Sequence, residues 1–187
     1  MSRKIIVIGN GMVGHKFCEK LCDKAEPGQF EITVFGEEPR VAYDRVHLSE
    51  YFDPEKTAES LALADLNWYV SRSINLILGN RVSAIDRENK KVTAQDGSTH
   101  SYDVLVMATG SAPFVPPIPG ADKEGVFVYR TIEDLDAMTA HVADLLADDA
   151  KRARFATACR TRAVEQFSLE KEAAAIIAIY RELLGET

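Results

Sequence analysis

Residues 3–35 read RKIIVIGNGMVGHKFCEKLCDKAEPGQFEITVF, and this stretch decides the fold. Lys4 to Ile8 is a short β-branched run of the kind a parallel strand buries on both faces. Gly9 to Gly14 is a turn carrying three glycines. From Met12 to about Lys24, Val13, Phe17, Leu21 and the pair Cys18 and Cys22 fall on one side at helical spacing. Pro27-Gly28 breaks that helix, and Glu31 to Phe35 is a second strand. Strand, helix and strand make a β-α-β unit, whose crossover is expected to be right-handed.

Gly9-Asn10-Gly11-Met12-Val13-Gly14 fits G-x-G-x-x-G. The pattern gains force here because it follows a strand and opens a helix. Gly9 permits the tight turn, Gly11 lets main chain approach a pyrophosphate, and Gly14 lets the helix pack closely on the strand. The helix start, at Met12 and Val13, offers free amides and a partial positive charge. An acid after the second strand should hold the ribose of a bound dinucleotide. Glu37 and Glu38 stand there, and an acid favours free hydroxyls over a 2′-phosphate. The competing reading is a purely structural glycine turn followed by solvated carboxylates.

Working outward, residues 37–53 are polar and irregular, with aromatics at Tyr43 and Tyr51. A loop of that length inside a compact domain is usually functional. Residues 61–70 show no defined pattern. Ile74 to Leu78 reads as a third parallel strand. Arg81 to Asp86, Lys91 to Ala94 and Thr99 to Tyr102 read as an antiparallel meander turning at Asp96-Gly97. Val104 to Ala108 is a further buried strand, ending at Thr109-Gly110. Pro113, Pro116, Pro117 and Pro119 stiffen the exit, and Val126 to Tyr129 is expected to be one more strand. After Thr131 nearly everything favours helix. Ser168 is the expected N-cap of the last helix, and Gly185 its stop. Leu169, Ala173, Ile176, Ile177, Tyr180, Leu183 and Leu184 form an apolar stripe along it. The expected class is α/β: a Rossmann-like parallel sheet with a small antiparallel meander and a C-terminal helical tail.

The 187 residues carry a formal net charge of -7. That acidity argues against nucleic acid or an anionic membrane as the main partner. No apolar run approaches the roughly 20 residues of a membrane helix, and the basic-then-apolar start breaks into the glycine turn rather than a cleavage site. A cytoplasmic protein is expected. Cys18, Cys22 and Cys159 form no Cys-x-x-Cys or zinc spacing and are read as small structural thiols. His15 and His47 lack metal-ligand spacing, so no metal site is expected.

Several segments together carry a family resemblance. They are Gly9-Asn10-Gly11-Met12-Val13-Gly14-His15, Glu37-Glu38-Pro39-Arg40 and Ala42-Tyr43-Asp44-Arg45-Val46-His47-Leu48-Ser49. Met107-Ala108-Thr109-Gly110-Ser111 and Val128-Tyr129-Arg130-Thr131-Ile132-Glu133-Asp134-Leu135 complete the set. Over about residues 3–136 the sequence resembles the FAD segment of flavoproteins with two dinucleotide-binding domains, the group that includes ferredoxin and rubredoxin reductases. Within that group it is similar to the large subunit of NAD(P)H-dependent nitrite reductase. The resemblance implies FAD as cofactor, with Glu37 and Glu38 on the adenosine side. It also implies Arg45 near the pyrophosphate and flavin, the Val82 backbone at the adenine, and Ala108-Thr109-Gly110 closing over the cofactor. Many relatives carry Lys where Glu50 stands. From the residues alone, Arg45 could instead pair with Asp44 or another carboxylate, and Tyr43 could be a packing aromatic only. No catalytic acid or base is assigned.

The same resemblance calls for a second G-x-G-x-x-G opening an NAD domain, and this sequence contains none. Residues 1–136 are therefore expected to be an incomplete FAD-binding domain without full turnover. NAD(P)H would bind only if a separate domain supplied its site. Residues 137–187 resemble the C-terminal helices of family-4 GT-B glycosyltransferases and are expected to pack on the first domain, the whole being a chimera. The alternatives are a structural or binding module without activity, dimeric through exposed helix faces, or a glycosyltransferase-derived nucleotide-binding chimera.

Overall fold

The computed structural model describes residues 2–185, and the chain divides into two compact units after Leu135. In the first, β1 (Arg3–Ile8), α1 (Met12–Cys22), β2 (Phe30–Phe35), α2 (Leu66–Ser71), β3 (Ile74–Ile77) and β7 (Val104–Met107) build an open parallel sheet with helices. The strand order is β3-β2-β1-β7, and Val7 on β1 lies between Val34 on β2 and Val106 on β7. Between β3 and β7 the chain forms a separate antiparallel sheet, β4 (Val82–Asp86), β5 (Lys91–Ala94) and β6 (Thr99–Ser101). Gly97 takes the positive φ of 84° that its turn needs, and the Asp96 carboxylate accepts the Ser98 amide at 2.9 Å.

Successive side chains of β1 point to opposite faces and seed two cores. Ile5 and Val7 pack with Cys18, Ile32, Val34, Tyr69 and Ile74. Ile6 and Ile8 pack with Phe35 and with Val92 and Ala94 of the meander. A buried strand must be apolar at every position, which is why residues 5–8 read Ile-Ile-Val-Ile without alternation. A third cluster joins Tyr43, Leu48 and Leu61 of the long loop to Ile132 and Leu135 at the start of α3 (Ile132–Ala147). It anchors residues 43–61 to the body of the unit.

Two expectations are corrected. Val126 to Tyr129 is not a strand: it pairs with none of the strands described, and β7 is left as the edge of the parallel sheet. Residues 61–70 are not patternless. Asp65 caps α2, its carboxylate accepting the Trp68 amide at 2.8 Å, and Tyr69 is driven into the core at 1% exposure. The long loop also contains a single 3-10 turn at Leu48–Phe52.

The second unit continues α3 and adds α4 (Asp149–Phe167) and α5 (Leu169–Leu184). Asp148 caps α4 through the Lys151 amide, and Ser168 caps α5 through the Lys171 amide at 3.3 Å. Gly185 ends α5 in the left-handed conformation, φ 71°. Neither α4 nor α5 contains a buried residue, and Leu169, Ile176, Ile177, Tyr180, Leu183 and Leu184 are all exposed. Among the described residues no helix is long and apolar enough to cross a membrane.

Ile6 is 2% exposed between the parallel sheet and the meander. Replacing it with Ala should cost about 2–5 kcal/mol, through lost burial and a residual cavity, read as a lowered urea midpoint at unchanged m value.

Candidate dinucleotide-binding site

The chain runs from β1 outward to β2 and β3, then returns to the other side of β1 as β7. Such a switch in strand order leaves a crevice at the carboxyl ends of the strands. Here it is a cleft of about 1080 Å³.

Three glycines shape its floor, each for a different steric reason. Gly9 has φ +112°, and a Cβ there would lie 2.1 Å from the Ala108 carbonyl oxygen. A Cβ on Gly14 would lie 2.0 Å from the Gly9 carbonyl oxygen. The strand end, the turn and the helix start are thus packed backbone on backbone. Gly11 differs: a Cβ there would meet nothing within 4 Å. Its φ of −90° suits any residue, so neither packing nor backbone geometry calls for glycine. The space in front of it is where a ligand's phosphates would lie.

Gly11 is also the N-cap of α1, with no side chain capping the helix and no acidic residue in the first turn. The amides of Met12 and Val13 therefore have no acceptor within the helix and stand at its positive end. The cleft lining includes the carboxylates of Glu37, Glu38 and Glu133 and the guanidinium groups of Arg40, Arg45, Arg81 and Arg130. Four positive and three negative charges leave +1 in a chain of net charge -7, so the cleft suits an anion better than the rest of the molecule does.

The residues singled out from sequence converge on this place. Gly9, Gly11, Met12 and Val13 line the cleft from β1 and α1. Glu37 and Glu38 line it just past β2, Arg45 from the long loop, and Val82 from the start of β4. Ala108, Thr109 and Gly110 line it past β7. Gly14 is set behind the turn rather than on the lining. Glu50 lies outside the lining and pairs with Lys56 at 3.5 Å.

Arg45 pairs with Glu38 and donates from Nη1 to the Arg130 carbonyl at 3.1 Å. Asp44, its sequence neighbour, is spent elsewhere: it accepts the Val46 amide at 2.8 Å and meets His47 Nδ1 at 2.7 Å. Tyr43 is both packing aromatic and hydrogen-bond partner. Its ring is buried at 3% exposure, and its hydroxyl donates to Glu38 Oε2 at 2.7 Å. Burial and the adjacent carboxylate push its pKa upward, so it stays a phenol.

The sequence reading overlooked Asn10, Arg40, Arg81 and Glu133 as cleft residues. Arg40 lies beside the acidic pair and donates from Nε to Glu133 at 3.0 Å. Its place next to Glu37 and Glu38 was the available signal. Glu133 falls in the segment from Val128 to Leu135 that carries the resemblance, but at 93 residues' separation nothing in the sequence pairs it with Arg40.

His15 lies beneath the turn. It is 7% exposed, with its ring 4.5 Å from that of Trp68 and its Nδ1 3.5 Å from the Tyr69 hydroxyl. That hydroxyl donates to Asn10 Oδ1 at 3.0 Å, linking α2 to the turn. Cys18 is fully buried, and burial pushes its thiol up to about 12, so it remains protonated and inert.

The profile of the pyridine nucleotide-disulphide oxidoreductase family matches residues 3–154. The chain belongs to that family. Over 135 residues it is 52% identical to the NADH nitrite reductase large subunit of Escherichia coli, covering 72% of this chain but 16% of that protein. The ferredoxin–NAD(+) reductase subunit of the Pseudomonas putida benzene 1,2-dioxygenase system is 33% identical over 138 residues, covering 74% of this chain and 33% of the other. The structure of NADH:rubredoxin oxidoreductase from Clostridium acetobutylicum superposes with a TM-score of 0.66 at 25% identity, over 78% of this chain and 37% of that one. This is a nitrite reductase-like domain of the family, Rossmann-like in fold, and the family's cofactor is FAD.

Burial holds His15 below its ordinary value of 6.5, outweighing the nearby Glu19 carboxylate, which raises it. Lys16 and Arg72 depress it further. The folded state therefore binds this proton less readily than the unfolded chain. Its contribution to stability is full above pH 6.5 and is lost as pH falls from there toward the folded pKa. His15→Gln should flatten that part of the curve, measured by urea unfolding at steps between pH 7.5 and 5.

Proposed function

We propose that this chain is the FAD-binding domain of a pyridine-nucleotide-dependent flavoprotein oxidoreductase of the nitrite reductase type. The observation that carries the reading is the empty volume before Gly11, set against bare helix-start amides at the strand switch point.

In this reading the backbone at Gly11, Met12 and Val13 holds the pyrophosphate. The acidic pair Glu37 and Glu38 lines the cleft on the adenosine side, and the Val82 backbone meets the adenine. Arg45 adds positive charge beside the phosphates. Ala108-Thr109-Gly110 closes over the ligand, with Gly110 at φ +68°. FAD supplies hydride acceptance and electron relay when bound, while the protein binds and orients it. No side chain of this chain is assigned as acid or base.

This chain spans 16% of the nitrite reductase subunit and 33% of the benzene dioxygenase reductase subunit. It contains no second G-x-G-x-x-G. Reduction by NAD(P)H accordingly needs a site that these residues do not supply, and by itself the domain binds FAD without turnover. We take residues 1–136 as the FAD-binding unit and 137–187 as a helical appendage, whose exposed apolar side chains on α5 favour a homodimer. Three unpaired cysteines and an acidic composition suit the cytoplasm.

FAD titration of the wild type beside Gly11→Val tests the assignment. Valine fits the backbone at this position, so its melting temperature should fall by no more than about 2–4 °C. Saturable flavin quenching should be present in the wild type and absent in the variant. Equal affinity in both would refute the pyrophosphate site.

A further inference from the structure

The two carboxylates after β2 are adjacent in sequence but held very differently. Glu37 is 69% exposed, and its contact is a 3.5 Å approach to Arg81, itself 66% exposed. Such a pair constrains little. Glu38 is 22% exposed, and both its oxygens are engaged. Oε1 pairs with Arg45 Nη2, and Oε2 accepts the Tyr43 hydroxyl at 2.7 Å. Its main chain is fixed as well, since its carbonyl accepts the Gly79 amide at 3.0 Å.

The opposite end of this pair is equally constrained. The Arg45 guanidinium carbon lies 4.8 Å from the centre of the buried Tyr43 ring, and Nη1 donates to the Arg130 carbonyl. A guanidinium has five N–H donors. Glu38 and Arg130 take two, which leaves three on a side chain that lines the cleft. Each Glu38 oxygen keeps a second lone pair, but the phenol and the guanidinium fix the direction of the carboxylate, and turning it toward a ribose elsewhere would break one of those bonds at a cost. Glu37 would give up almost nothing.

We propose that Glu38 is a positioning residue and not a ribose ligand: with Tyr43 it clamps Arg45 so that the free guanidinium donors are pre-set for the pyrophosphate, and Glu37 alone accepts from the adenosine ribose. The proposal rests on the FAD reading above. Pairing also neutralises a carboxylate that would otherwise repel the diphosphate. Without Glu38, Arg45 would keep only the Arg130 carbonyl and the Tyr43 ring as restraints, and binding would have to supply the remaining order.

The test compares FAD with its 2′-deoxyadenosine analogue, both titrated by flavin fluorescence. Wild type should prefer FAD by about tenfold, the scale of one hydrogen bond to a charged group. Glu37→Ala should erase that preference. Glu38→Gln should weaken both ligands alike, by about tenfold, and keep the preference. In an Arg45→Met background the Glu38→Gln loss should vanish, because there is no cation left to position. Tyr43→Phe, which removes one hydroxyl, should weaken both ligands less and also keep the preference; it serves if Glu38→Gln does not fold. Loss of discrimination in Glu38→Gln or Tyr43→Phe, or additive losses for Glu38→Gln and Arg45→Met, would overturn the clamp while leaving FAD binding intact. A wild type that binds neither ligand would instead overturn the FAD reading, and the clamp with it.

Discussion

The fold depends on one steric constraint: three segments of main chain meet where no Cβ can be placed. The Ala108 carbonyl at the end of β7 presses on Gly9, and the Gly9 carbonyl presses on Gly14 in the first turn of α1. This contact brings β7 beside β1 and holds the helix start at the strand end. It thereby creates the strand switch that opens the cleft. Dispersion and burial stabilise the sheet on both faces through Ile5 to Ile8, but those residues do not specify where the helix begins. The glycines do. Gly11 stands in contrast: a Cβ there would meet nothing within 4 Å, so no packing within the protein calls for glycine at that position.

A second layer of order holds the loop over the cleft. Residues 43–61 have little regular structure, yet Tyr43, Leu48 and Leu61 are buried against Ile132 and Leu135. Two polar ties reinforce this apolar anchor: Arg40 to Glu133, and Arg45 to Glu38 and the Arg130 carbonyl. Asp134 accepts the Arg130 and Thr131 amides at 3.0 and 2.8 Å, fixing the carbonyl that Arg45 needs. The loop is therefore part of the wall, positioned by a helix that begins at Ile132, far along the chain.

What could be read from sequence followed the strength of the local signal. The strand, turn and helix at 3–35 were legible because hydrophobic period and glycine spacing agree. The meander was legible because Asp96-Gly97 permits a particular turn. Residues 126–129 have strand-forming side chains, but strand formation needs a partner edge, and that is a property of the sheet rather than of the segment. The short helix at 66–71 has a good cap in Asp65 but leaves little trace in the sequence, because six residues show too little periodicity. At the site, the glycines and the acidic pair Glu37 and Glu38 could be found by spacing. The partnership of Arg45 with Glu38 could not, since Asp44 was the nearer acid and was drawn instead into the turn at Val46 and His47. Long-range pairs such as Arg40 with Glu133 have no local signature at all.

Trp68 is the chain's single tryptophan, and it packs at a tilt against His15 while the Arg72 guanidinium lies 4.4 Å from its ring centre. Its neighbour Tyr69 is hydrogen-bonded to Asn10 of the glycine turn. The indole is therefore an intrinsic optical probe one residue removed from the cleft floor. Its emission will register protonation of the imidazole or loosening of the turn directly, with no label attached.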